Sequence, residues 1–389
     1  MNKTTNIITE SFTNYAGAVA QSRALVDVRD GMKPSARLLT YIQNNKGYTH
    51  PKPFASSGTV VGAGLESYIH GDSSLYATLA RLAKPFAMRY PIEEMKGGYG
   101  SLAKSQNESH YRYTKMRISE FGTLLFQGLK ENAILEDEWR ENYTQTDIHP
   151  IVLPSLGYYN ICNGSSGIAV GLASSIPQFN LKEMNEALIH MLWGRSYSLP
   201  MPDFATGGTI TNLKDVKESL QKGQGSSIQI RATIEYEPND HVLYVKEMPY
   251  SVYTETVAKE LENIINENEN CGIEKFLEIT DRAIMEIYLS PRAQASQVIN
   301  LLYKETSLKS HYGINLTMLK RGKYPQIFTL PEAMQEHLKH EFRCYTNIYK
   351  HRLDVAQKRL HILEGYLIVI ANIEEVVKTI KSCASAAIA

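Results

Sequence analysis

Residues 110 to 117 read H-Y-R-Y-T-K-M-R and set Arg112 directly beside Tyr113, with Lys104, Lys115 and Arg117 close by. A phenol of ordinary pKa, near ~10, is a poor nucleophile at neutral pH. A neighbouring guanidinium favours the phenolate and presents a fork of donors to phosphate oxygens. The pair therefore has the chemistry to attack a phosphodiester and store its energy in a phosphotyrosine. The chain holds 24 tyrosines, most of which must serve packing or the surface, so the neighbours of Tyr113 rather than its type single it out.

Such a nucleophile needs a scaffold and a way to hold an anion. A chain of 389 residues is long enough for roughly two or three domains with sizeable cores. Basic and acidic side chains balance at 41 each, yet the first 117 residues carry 15 Lys or Arg against 8 Asp or Glu. A neutral chain with a basic amino-terminal third suits one DNA-binding face on an ordinary scaffold. Cys162, Cys271, Cys344 and Cys383 are widely separated, which argues against a zinc site or disulfide framework and fits a reducing compartment. The opening M-N-K-T-T-N-I-I-T-E has no secretory run, and no stretch reaches the ~18 apolar residues of a membrane span. A soluble intracellular protein is expected.

Residue spacing predicts helices over 11–25, 34–45, 58–69 and 73–84. The last two flank His70-Gly71-Asp72, where Asp72 or Ser73 can cap the second, in the manner of a helix-turn-helix. Lys96 to Ser101 reads as a loop, Tyr111 to Ile118 as strand then helix, and 118–130 as a helix. From 203 to 250 the pattern alternates as strands do; a helix over 257–267, a strand over 283–289 and a further helix follow. Residues 331 to 381 read as long helices with few breakers, suited to bundle packing or to a coiled-coil partner. The whole is α+β and multidomain, divided at 1–150, 151–330 and 331–389.

Seven segments then fall in order: R-A-L-V-D-V-R-D-G-M-K-P (23–34), Y-I-H-G-D-S-S-L-Y (68–76), Y-R-Y-T-K-M-R (111–117) and N-G-S-S-G-I-A-V-G-L-A-S-S-I-P (163–177), followed by K-E-M-P-Y-S-V (246–252), H-Y-G-I-N-L (311–316) and H-I-L-E-G-Y-L-I-V-I-A-N-I (361–373). From about residue 11 to 381 the chain resembles the breakage-reunion subunit of type IIA DNA topoisomerases, the A subunit of gyrase or topoisomerase IV. The resemblance implies a winged-helix DNA-binding and cleavage domain over 1–150, a tower domain over 151–330 and a coiled-coil, dimer-gate segment over 331–389 that would be incomplete. It makes Tyr113 the nucleophile of a 5′-phosphotyrosine link, with Arg112 steadying the phosphate and Arg23 and His70 near the scissile bond. Arg29, Lys33, Arg37 and Arg81 become phosphate contacts, and Ser73 joins the DNA-facing set. Ile168 matches an isoleucine that wedges between base pairs; a buried strand residue is the alternative. The family's bacterial pattern often has a second histidine where this chain has Tyr68, and two adjacent arginines where it has Arg37-Leu38. Quinolones act on members partly through a serine and an acidic residue four places on; here those positions are Ser73 and Ala77.

The chain shows no D-x-D acidic cluster of a TOPRIM domain and no ATP-binding motif, and the glycine-rich run at 163–171 lacks a P-loop lysine. By the resemblance, Mg²⁺ is held mainly by the TOPRIM domain of a gyrase-B-like ATPase partner, which also binds ATP. Double-stranded DNA is the substrate, and two copies form the homodimer of an A2B2 assembly. No carboxy-terminal wrapping domain is read, so gyrase-type negative supercoiling is not expected. A non-catalytic DNA-binding or architectural protein is the rival reading, and a site-specific tyrosine recombinase or nickase a third.

Overall fold

The computed structural model describes residues 11, 15–68, 71–105, 108–142, 145–157, 160–268 and 270–382. It combines helices with small antiparallel sheets, the α+β mixture that the alternating patterns predict. The stretch 15–19 is helical and opens into a π-helical turn, Ala20–Ala24, that carries Arg23. Helix α1 (Pro34–Lys46) starts on a proline, whose missing N–H is no loss in a first turn, and stops at Gly47 in the left-handed region. Helices α2 (Ser57–Leu65) and α3 (Asp72–Ala83) stand where the paired helices are predicted. Lys84 is extended because Pro85 follows it. Neither Asp72 nor Ser73 caps α3: Gly71 holds the N-cap position without any side-chain bond.

Strands β1 (Ala55–Ser56), β2 (Glu93–Lys96) and β3 (Lys115–Ile118) form a sheet in the order β1-β3-β2. Met116 faces Ala55 on one side and Met95 on the other, and Met116 and Ile118 are fully buried. The helix predicted over 118–130 is not formed. Ile118 closes β3, helix α4 (Glu120–Thr123) makes one turn from a Ser119 cap, and two 3-10 turns follow at Leu124–Phe126 and Leu129–Glu131. Gly128 takes a φ of 79° between them, and Leu125, Phe126 and Leu129 are all buried. A chain whose apolar residues must point several ways cannot keep one helical stripe.

Strands β4 (Trp139–Glu141) and β5 (Ile148–Pro150) pair as a hairpin, as do β6 (Ser165–Ala169) and β7 (Leu172–Ile176). After α5 (Leu181–Leu192), strand β8 (Thr209–Ile210), helix α6 (Leu213–Lys222) and strand β9 (Ile228–Arg231) lead into β10 (Thr233–Glu237) and β11 (Val242–Glu247). Helix α7 (Thr254–Glu267), strands β12 (Ile273–Glu278) and β13 (Met285–Leu289) and helix α8 (Ala295–Glu305) complete a four-stranded unit of order β10-β11-β13-β12. Strand β14 (Lys309–Tyr312) pairs with β9, and β15 (Thr317–Lys320) with β16 (Tyr324–Ile327). Helix α9 (Leu330–Ala371) begins in a Thr329/Glu332 capping box and is followed by α10 (Ile373–Ser382). Its first turns are buried through Ile348, and beyond them the apolar side chains are exposed. One core joins Val26 and Val28 to Ile161, Phe179, Phe328 and Met334, so the segment after Arg23, the glycine-rich region and the start of α9 share a single interior.

Beneath the sheet lies a buried titratable pair. Gln43 Nε2 donates to Glu93 Oε1 at 2.6 Å, while Gln43 Oε1 and Glu93 Oε2 have no partner among the described residues. One proton on Glu93 Oε2, donated to Gln43 Oε1, would satisfy both atoms and close an acid–amide ring. Burial lifts the Glu93 acid to about 8, against the Gln43 bond and with help from Glu94. The folded state thus keeps a proton that the unfolded chain loses near the ordinary carboxylate value of 4.5, and stability falls as pH rises across that window. Glu93→Gln retains the ring with an amide, so its denaturant midpoint should vary less than wild type between about pH 4.5 and about pH 8. Parallel wild-type and variant curves would show that Glu93 does not titrate there.

Candidate nucleic-acid interface and cleavage site

Tyr111–Tyr113 is a single 3-10 turn. Tyr113 N donates to the His110 carbonyl at 2.9 Å, and Arg112 N donates to His110 Nδ1 at 3.3 Å. Gly97, at φ 101°, lies beneath the turn, where a Cβ would come within 2.9 Å of the Tyr113 carbonyl oxygen. The three phenols around the turn differ in what they face. Tyr111 donates to Asp72 Oδ2 at 3.1 Å, and that bond raises its pKa. Tyr76 is buried, bonded to Ser109 O and Thr114 Oγ1, and burial raises its pKa. Tyr113 is 71% exposed, with the Arg112 guanidinium 6.0 Å from its ring centre. Two phenols are held protonated as donors, and the third presents its oxygen outward beside a cation.

Helix α3 also faces a cleft of about 240 Å³, lined by Arg23, Lys33, Arg81, Tyr68, Ser74, Thr78 and the backbone of 164–166 among others. Among the described residues no carboxylate lines it. Lys33 Nζ donates to the Ser166 carbonyl at 2.5 Å. Burial first, then Arg81 and Arg23, lower the Lys33 pKa to about 8. Three cations converging without a counter-charge make a site that an anion would relieve, and phosphate is the anion that suits guanidinium and ammonium together. Ser73 is exposed on the first turn of α3. Tyr113, Arg112 and Ser73 do not line this cleft, so the exposed phenol and the cationic cleft are separate features, the turn of the one and the wall of the other each meeting α3.

The hairpin β6–β7 carries Ile168 at 88% exposure, which rules out the buried-strand alternative. At Gly167 the small residue serves the protein's own packing. A Cβ at Gly167 would collide with the Ala24 carbonyl, so the hairpin lies backbone-to-backbone against the turn that bears Arg23. Gly31, at φ 65°, leaves no room for a Cβ beside Ile161 N, and Asn160 Nδ2 donates to its carbonyl at 2.8 Å. Asn163 clamps Tyr90 by accepting from its N–H at 2.6 Å and donating to its carbonyl at 2.8 Å.

Two expected phosphate contacts are corrected. Arg29 and Arg37 are buried, at 6% and 4% exposure. Arg29 forks onto both Asp27 oxygens and reaches Glu138 at 2.5 Å; Arg37 forks onto both Asp30 oxygens and donates to the Met32 carbonyl. A guanidinium bonded inward in this way ties loops together. Its charge is already matched, so it is not turned to DNA. His70 lies outside the described residues. Sequence reasoning missed Tyr76, Thr114 and Gly167, though Tyr76 stands inside Y-I-H-G-D-S-S-L-Y and Gly167 inside the glycine-rich run. It also missed Glu138, which no local signal marks.

The family model for the A subunit of DNA gyrase/topoisomerase IV matches residues 23–388. The DNA gyrase A subunit of Leptospira biflexa serovar Patoc is 33% identical over 386 residues, covering 96% of this chain and 45% of that protein. That of Halalkalibacterium halodurans is 33% identical over 390 residues, 97% of this chain and 46% of the relative. That of Staphylococcus aureus (strain NCTC 8325 / PS 47) is 32% identical over 390 residues, 97% and 43% respectively. The chain spans a little under half the length of these curated relatives.

The lowered Lys33 pKa has a direct readout. Acylation by an amine-selective reagent, followed residue by residue with mass spectrometry, should rise at Lys33 through a midpoint near about 8, because only the neutral amine reacts. Duplex DNA should suppress it by restoring the charge. A midpoint near the ordinary ~10.4 would contradict the converging-cation geometry.

Proposed function

The chain belongs to the A-subunit family of DNA gyrase and topoisomerase IV, and from that premise we propose that it is the DNA cleavage–religation subunit of a type IIA topoisomerase. The observation that carries the proposal is the outward Tyr113 phenol beside Arg112, on a turn fastened to the helix that also faces a cleft of three unneutralised cations. In this reading the Tyr113 phenol gives up its proton and its Oη forms a bond to phosphorus, the bond to the 3′ oxygen breaks, and that oxygen takes up one proton, so that none is gained or lost overall. The 5′-phosphotyrosine retains the bond energy, so reversal reseals the strand without a ligation cofactor. Arg112 offers its donors to the non-bridging oxygens. Arg23 and His70 act near the scissile phosphate, while Lys33, Arg81 and Ser73 hold the backbone. Such contacts set register without reading sequence and weaken with salt. Ile168 supplies the wedge; unstacking a step costs on the order of a few kcal/mol and is offset by contacts that the bend permits.

Among the described residues no group of three or more His, Cys, Asp or Glu side chains could hold a metal ion. We assign Mg²⁺ and ATP to a gyrase-B-like ATPase/TOPRIM partner, and the double-strand break to two copies of this chain in an A2B2 assembly. The proposed division is a winged-helix domain over 1–150, a tower over 151–330 and a coiled-coil segment over 331–389. No helix among the described residues is long and apolar enough to cross a membrane, and a cytoplasmic location accords with a DNA substrate.

Tyr113→Phe should abolish the covalent protein–DNA adduct on denaturing gels, with partner and Mg²⁺ present, while leaving DNA affinity within about twofold, since it removes no phosphate contact. Undiminished adduct in that variant would sink the assignment. Bent, salt-sensitive DNA with no adduct even from wild type would instead favour the architectural reading. Position 77 gives an independent check. Ala77 is exposed on α3, four residues after Ser73 and beside a cavity that holds Arg81 and Lys84. Without an acidic anchor there, quinolones should stabilise cleavage weakly, and Ala77→Asp should lower the drug concentration needed. Equal sensitivity of the two forms would refute that role.

A further inference from the structure

The Tyr113 side chain reaches outward from a three-residue turn, so its direction is set by whatever fixes the turn's two ends. Ser109 precedes the turn and Thr114 follows it, and one buried hydroxyl touches both. Tyr76 Oη, on α3, donates to the Ser109 carbonyl at 2.7 Å and lies 3.0 Å from Thr114 Oγ1. Thr114 Oγ1 is also 2.8 Å from Ser57 Oγ at the start of α2, and Ser57 N donates to the Thr114 carbonyl at 3.0 Å. The Tyr76 ring packs edge-on against Tyr111 at 5.8 Å, and Tyr111 in turn bonds Asp72, one helical turn back on α3. The turn is therefore strapped to α3 at both ends and at its first residue.

We infer that Tyr76 is a positioning residue for the Tyr113 nucleophile, its buried hydroxyl pinning both ends of the turn onto the helix that carries Arg81 into the cationic cleft. This rests on the cleavage reading above. On α3, Ser74, Thr78 and Arg81 face the cleft while Tyr76 faces the turn. One rigid helix thus joins Arg81 of the cationic cleft to the turn that bears the attacking oxygen. Tyr76 is buried and its hydroxyl bonds the protein's own groups. Its loss leaves the Ser109 carbonyl unpaired and lets the turn rotate about Thr114.

The test uses the assembled complex with partner, Mg²⁺ and a duplex substrate, and measures single-turnover formation of the covalent adduct alongside DNA binding. Misplacing a reacting atom by about 1 Å can cost on the order of 100-fold, so Tyr76→Phe should slow adduct formation between about 10- and 100-fold, with DNA affinity and thermal midpoint near wild type. Thr114→Ser keeps both hydroxyl contacts and should cleave at close to the wild-type rate. Thr114→Val, which lacks the hydroxyl, should follow Tyr76→Phe. Should Tyr76→Phe prove poorly folded, that serine/valine pair decides the matter. A wild-type cleavage rate in Tyr76→Phe overturns the inference while leaving the cleavage reading intact. So does a slowed rate matched by an equal loss of DNA affinity, which would mark a structural residue. Absence of adduct from wild type, under conditions where Tyr113→Phe serves as the blank, overturns the cleavage reading and this inference with it.

Discussion

The buried ion network around Arg29 is the constraint on which the site depends. Its guanidinium is shared between Asp27, two residues away, and Glu138, more than a hundred residues on; Glu138 also accepts from Arg343 of α9 at 2.6 Å. Burial alone would raise the Glu138 carboxyl, but Arg29 and Arg343 outweigh it and hold the pKa below the usual range. Asp30 follows the same logic: burial pushes it up, and Arg37 with the N–H groups of Met32 and Leu153 pulls it down. Opening such a pair by deleting one partner destabilises by roughly 3–5 kcal/mol, because a charge is left buried and unmatched. The segment from Asp27 to Arg37 is thereby fixed from both sides, and Lys33 rides on it.

This arrangement sorts the cations of one basic stretch into two kinds. Arg29 and Arg37 have carboxylates within their own loop and are spent on folding. Arg23 and Lys33 meet none among the described residues of the cleft and are joined there by Arg81 from α3. Three of the amino-terminal cations therefore meet where no acid lines the wall, and the Lys33 pKa is lowered there by burial first and then by Arg81 and Arg23. The Ser166 carbonyl holds the Lys33 ammonium within this field.

Much of this was legible in the residues, and the failures share a cause. Pro34 and Gly47 bound α1, Pro85 ends α3, and alternation marked β10 and β11, because those signals act within a few residues. Whether an arginine in V-R-D-G-M-K-P faces inward depends on Glu138, whose partner role appears only once the chain has folded. The same holds for Asp72. Its position invites a helix cap, yet the carboxylate turns to Tyr111, nearly forty residues away in sequence. The helix read over 118–130 failed because apolar spacing there serves several packing directions at once. Motif order singled out Tyr113, Arg112 and Ile168, but the segment 111–118, which reads as strand then helix, is a 3-10 turn followed by β3; nor could motif order say that Gly167 is small to admit the Ala24 backbone.

The network also determines how motion at the long helix would reach the cleft. His337 donates to the Arg29 carbonyl at 2.7 Å, and His340 donates to the Leu153 carbonyl at 2.9 Å. Burial lowers the His340 pKa to about 4, so that ring is a neutral donor across the physiological range. The beginning of α9 is thus bonded to the backbone of the Asp27–Arg37 segment, to that of Leu153, which donates to Asp30, and, through Arg343, to the Glu138 carboxylate. Sliding α9 by even one turn would break two histidine bonds and take Arg343 away from Glu138. The root of α9 and the loop that bears Lys33 must therefore move as one body. Any bending of the long helix must occur beyond Ile348, where its side chains leave the core.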